Sequence, residues 1–156
     1  MKAVSLFSSL LLLGLATTAA AQQQPQSANM KIVAEKIRAD KKLLVASNMG
    51  LTEAEDAKFW PLYDAYQAEL EKLTQRTVAL IKSYAGSYDA MTDDVAGKLL
   101  TEMVAIEKDR AALLASYQPK FAAAIPMKKV TRYYQIENKL RAIINYELAD
   151  AIPLIP

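Results

Sequence analysis

The chain of 156 residues contains no cysteine and no histidine. Without cysteine it has no disulfide framework, no thiol nucleophile, no iron–sulfur or cysteine-bound zinc site and no lipid-modified cysteine anchor. Without histidine it has no Ser-His-Asp triad and no imidazole metal site. Four glycines and six prolines are too few for a low-complexity or collagen-like segment. There is no Gly-rich phosphate loop and no G-x-S-x-G elbow. Asp89, Asp93 and Asp94 lack the spacing and the glycine of a calcium loop. Asp93 and Asp94 read instead as acidic residues favoured by the field at a helix start. What remains for chemistry is carboxylate, lysine, tyrosine and hydroxyl, so no catalytic, cofactor-binding or metal-binding residue is assigned.

The composition belongs to a folded chain. Apolar residues make up 53% and charged residues 23%, well away from the disordered regime. The formal net charge is only +2.

Residues 1–21 read as a secretory signal peptide. Lys2 supplies the positive start, Leu10 to Leu13 centre the apolar run, and Ala19-Ala20-Ala21 fits the small-residue cleavage pattern. The run is short for a membrane-spanning helix, and no later stretch approaches that length. Cleavage after Ala21 leaves 156 less 21, or 135 residues. Residues 22–28, with QQQPQS at their front, form a flexible new N-terminus, and residues 29–156 form one helical domain. An exported chain without thiols suits an oxidising periplasm. Export and the small net charge together disfavour nucleic acid as a partner.

The apolar periodicity is helical throughout, which predicts an all-α fold of four helices in long hairpins. The first helix runs from Asn29 to Met49 on a face of Met30, Val33, Ile37 and Leu44, and Gly50 stops it. Thr52 and Glu55 form a capping box that opens the second. Its stripe is Phe59, Tyr63, Tyr66, Leu70, Leu73, Thr77, Leu80 and Tyr84, and it passes Pro61 with a kink rather than a break. A turn at 85–91 leads to a third helix with face Val95, Leu99, Met103, Ile106, Leu113 and Tyr117, ended by Pro119. Phe121 to Ile125 is an apolar connector. Pro126 starts a fourth helix, which carries Val130, Tyr133, Leu140, Ile144 and Leu148 and runs to about Asp150. The proline-broken tail from Ile152 to Pro156 packs as a strap.

The segment Leu51-Thr52-Glu53-Ala54-Glu55 resembles the LTxxQ-type box of the Spy/CpxP family of periplasmic stress proteins. Glu55 stands where that family usually has glutamine. The place of the family's second box holds Ile125-Pro126-Met127-Lys128-Lys129, which departs from the pattern and marks a divergent branch. The resemblance implies a curved, antiparallel helical homodimer whose concave surface holds unfolded clients without ATP or contacts a sensor protein. Some similarly shaped relatives bind metal through histidine; this chain has none.

Several residues invite functional readings. Arg110 and Glu137 fall on apolar faces of the third and fourth helices, with Arg141 one turn on, and predict a structural ion pair between them. Trp60 and Val78 lie about 100° from the stripe of their helix. They mark either packing within the chain or, with Tyr63 and Tyr66, a surface for a dimer mate or client. Met30 and Met103 are the methionines that sit on core stripes. Residues 53–71 hold six acids and one lysine, and residues 128–141 hold five bases and one acid. These are solvated faces that attract each other, or a basic rim for an acidic partner or anionic membrane surface.

The expected function is therefore a non-enzymatic, cofactor-free, periplasmic binding protein for unfolded or partner proteins. The alternative is an envelope signalling adaptor with one folded partner. An enzyme using Glu137 with tyrosines would need a closed, wet pocket around that carboxylate.

Overall fold

The computed structural model describes residues 39–155. The chain divides into two units between Ala39 and Asp40, and the helices below belong to the unit that begins at Asp40. The expected signal peptide, the 22–28 segment and the upstream face of Met30, Val33 and Ile37 lie outside the described residues. Among the described residues all regular structure is helical, so the all-α expectation holds. Within that unit helix α1 covers 40–49, α2 is Glu53–Ser87, α3 is Asp93–Ala124 and α4 is Met127–Ala151. A short 3-10 turn, Tyr88–Ala90, joins α2 to α3.

Each boundary has a local cause. Gly50 takes φ 56°, the left-handed conformation that ends α1 at little cost only for glycine. Thr52 and Glu55 close the expected capping box: Glu55 Oε2 accepts from Thr52 N at 2.7 Å, and Thr52 Oγ1 accepts from Glu55 N at 3.4 Å. Thr92 Oγ1 accepts from Val95 N at 3.3 Å and starts α3.

The end of α3 differs from expectation. The helix does not stop at Pro119 but runs through it to Ala124. An interior proline gives up one hydrogen bond and crowds the preceding turn, at a cost of about 3 kcal/mol or more. Against that, Tyr117 and Phe121 continue the buried stripe one turn apart, and Phe121 is fully buried. Burying such side chains is worth about 1.5–3 kcal/mol each. The helix ends instead at Ile125, which is extended (φ −141°, ψ 160°) because it precedes Pro126. Helix α2 likewise runs unbroken through Pro61.

The core sits at one end of the α2–α3 hairpin, where all four helices meet. Val45 and Met49 come from α1, Phe59, Tyr63 and Tyr66 from α2, Tyr117 and Phe121 from α3, Ile125 from the turn, and Val130 and Tyr133 from α4. The rings of Phe59, Phe121 and Tyr133 form its centre, with centroids 5.0–5.5 Å apart. Lys129 Nζ locks this head from outside: it donates to Gly50 O at 2.8 Å and pairs with Glu55.

The stripes fade away from the head. Leu73 and Ile106 are the buried apolar residues of the distal hairpin. There Arg76 bridges α2 to α3, meeting Glu102 at 2.9 and 3.2 Å and Asp109 at 2.6 Å. Residues 141–147 of α4 are all exposed. Three expected core positions are thereby corrected. Leu44 is exposed while Val45 and Met49 are buried, because α1 turns the row 41, 45, 49 inward. Met103 is 49% exposed and Ile144 is 56% exposed, because no described helix covers them. The tail reaches α2, where Tyr84 Oη donates to Pro153 O at 2.7 Å, but Leu154 and Ile155 stay exposed.

Candidate functional site

The expected ion pair of Arg110 with Glu137 is replaced by two separate clusters. Glu137, whose side chain is 11% exposed, accepts from Lys41 Nζ of α1 at 2.8 Å and from Gln67 Nε2 of α2 at 2.9 Å. Gln67 also donates to Tyr133 Oη at 3.0 Å, and Lys41 donates to Gln67 Oε1 at 2.8 Å. This network gives the carboxylate a donor on each oxygen, as a group so placed requires. It ties α1, α2 and α4 at the edge of the aromatic core. Sequence reasoning missed Lys41 and Gln67. A signal existed for Lys41, which stands four and eight residues before Val45 and Met49 and so shares their inward row. The same signal existed for Gln67, which stands four and eight residues after Tyr63 and Phe59 and so shares their inward row.

The second cluster holds the arginines. Arg110 Nε lies 3.7 Å from Glu107 Oε1, and Arg141 Nη1 lies 3.6 Å from Glu107 Oε2. Two cations on adjacent helices thus share one largely exposed carboxylate. Arg110 and Glu137 do not pair because Glu137 turns to Lys41 and Gln67 on α1 and α2, while Arg110 lies by Glu107, one turn before it on α3.

The tyrosines around Glu137 are held in the neutral form. Burial, reinforced by the Glu137 charge, pushes the Tyr63, Tyr66 and Tyr133 hydroxyls far above the ordinary value and that of Tyr134 up to about 12. None of these can act as a base near neutrality; as hydrogen-bonding groups they remain competent.

Trp60 packs within its own chain. Its ring meets Phe59 at 5.0 Å and Tyr63 at 5.3 Å, its Nε1 donates to Asp56 at 2.9 Å, and Lys42 of α1 lies over it at 5.2 Å. Tyr63 and Tyr66 are core residues, not surface ones, while Val78 is exposed. Of the expected partner surface, Val78 and part of Trp60 therefore face outward. Other apolar side chains lie open as well, among them Leu100, Met103, Val104 and Leu114 on α3, Met127, Ile143, Ile144 and Tyr146 on α4, and Leu43 on α1.

A cleft of about 380 Å³ lies between the distal parts of α2 and α3, lined by Leu80, Leu99 and Val95 with Arg76, Lys98 and Glu102 at its rim. The Arg76 guanidinium beside Glu102 holds that carboxyl below the usual range. Among the described residues, no group of three acidic, histidine or cysteine side chains could hold a metal ion. No helix among them is long and apolar enough to cross a membrane.

No family model matches the chain, and no curated protein or solved structure matches it. The class defined by the described residues is an all-α helical hairpin protein with one aromatic core and long, sparsely covered outer faces.

Proposed function

We propose that the chain is a non-enzymatic periplasmic binding protein of Spy/CpxP type, which shields unfolded polypeptides without nucleotide and works as a homodimer. The observation that carries this reading is the number of open apolar side chains on α3 and α4: Leu100, Met103, Val104, Leu114, Ile143, Ile144 and Tyr146. Charged residues such as Lys108, Lys139 and Glu147 interleave with them. Apolar surface bounded by charge on a small exported protein suits weak, adaptable contact with other chains. The signal-like leader and the capping box at Thr52 and Glu55 support the same reading.

The test is light scattering of a chemically unfolded client diluted into buffer with the purified mature protein. Stoichiometric protein suppresses aggregation, and polar substitution of Leu100, Val104 and Ile144 together removes the effect. No suppression at any ratio overturns the chaperone reading. Recovery of one folded partner in its place would identify an envelope adaptor. Mass measurement in solution tests the dimer.

A further inference from the structure

The two arginine sites of the hairpin carry opposite imbalances. Arg76 is one cation held by two carboxylates, Glu102 and Asp109, at hydrogen-bonding distances. Arg110 and Arg141 are two cations facing one carboxylate, Glu107, at 3.7 and 3.6 Å, beyond hydrogen-bond length. Arg110 is the more constrained of the two. Its side chain is 17% exposed, and its buried Nε has no hydrogen-bond partner. A buried donor on a charged group is costly to leave unmade. Glu137, one turn before Arg141 on α4, is already taken by Lys41 and Gln67.

We propose that Arg110 and Arg141 form a carboxylate-binding site between α3 and α4, which takes an acidic side chain or chain terminus of a bound polypeptide. This deepens, and rests on, the protein-binding reading above. A guanidinium presents paired N–H donors that match the two oxygens of a carboxylate. A bound carboxylate would balance the second cation, meeting the pair through Arg141, whose side chain is 46% exposed, since Arg110 Nε itself is closed to solvent. Tyr66 stands near the pair, since the charges of both arginines act on its hydroxyl, and the Tyr134 ring lies 6.4 Å from that of Tyr66. The flanks are apolar. Leu114 lies one turn from Arg110, and Ile144 lies one turn from Arg141, both exposed. The fitting ligand is therefore a segment with one acid among apolar residues, not a polyacid.

The test separates the site from the wider reading. In ¹⁵N spectra of the full mature chain, acetate shifts the side-chain Nε–Hε signals of Arg110 and Arg141. In fluorescence anisotropy, a labelled peptide with one glutamate among leucines binds about tenfold tighter than its glutamine twin, as expected for a paired charge-assisted contact. The double variant R110Q with R141Q removes that difference and leaves binding of the glutamine peptide unchanged. Unmoved arginine signals with acetate, or a difference that survives the double variant, overturns the site. Signals that move with inorganic phosphate but not acetate overturn the carboxylate assignment. Signals that move with acetate while neither peptide binds sustain the site and refute the protein-binding reading.

Discussion

The head and the distal half of this protein are built from the same helices by different means. In the head, α1 to α4 converge on Phe59, Phe121 and Tyr133, and a satisfied polar network seals the edge. In the distal half, α2 and α3 are joined by Arg76 and a thin apolar contact, and α4 lies open from 141 to 147. An unbroken apolar stripe thus predicts burial only where enough helices arrive to cover it. Tyr133 and Ile144 are 11 residues apart on one helix, and the first is wholly buried while the second is 56% exposed.

Substitutions can break that comparison. The largest effect is expected from Phe121→Ala, which leaves a cavity in the head and lowers stability in urea unfolding by about 3–5 kcal/mol. A loss of the same size from Ile144→Ala would end the distinction between the two halves. Glu137→Ala comes next. It strips Lys41 and Gln67 of their shared acceptor and should cost about 1–3 kcal/mol, with exchange of the α1 amides accelerating most. Arg76→Ala should lower the midpoint less than either, since exposed ion pairs contribute little, and salt should shrink the effect further. Ile144→Ser should fall within about ±0.5 kcal/mol.

Acid sharpens the comparison. Pairing with Lys129 and the Thr52 amide holds the Glu55 carboxyl below its ordinary value of 4.5, and Arg76 does the same for Glu102 in the distal half. A carboxyl depressed in the folded state adds stability that is full above the unfolded value and is lost as pH falls through the folded one. Stability should therefore decline below about pH 4.5 in both halves. Lys129→Met should flatten the decline that arises in the head, read as unfolding midpoint against pH.

How much is legible in the sequence follows from what spacing encodes. The helix types, the capping box and the row Phe59, Tyr63, Tyr66 are readable because they depend on residues within a few turns of each other. Pro119 misleads because its penalty is local, whereas the gain from Phe121 comes from rings on two other helices. The partners of Glu137 escape because they depend on which helix stands beside α4. Spacing within one helix cannot reveal that. Met103 and Ile144 carry the right periodicity for a core that the described helices do not complete. The arginine pair is visible as residues, but the turn of Glu137 toward α1 and α2 is not, and it leaves both cations to Glu107.

Lys129 has a consequence for the order of folding. Its contacts with Gly50 and Glu55 span 79 and 74 residues of sequence, in a chain that has no cysteine to make such a link covalent. Closing so long a loop carries an entropic penalty before any contact offsets it. The α2–α3 hairpin turns within five residues and can zip from that turn outward. The weaker end of the molecule should thus form first. The stronger end waits for α4 to return and fasten the start of α2, as a clasp closes a strap.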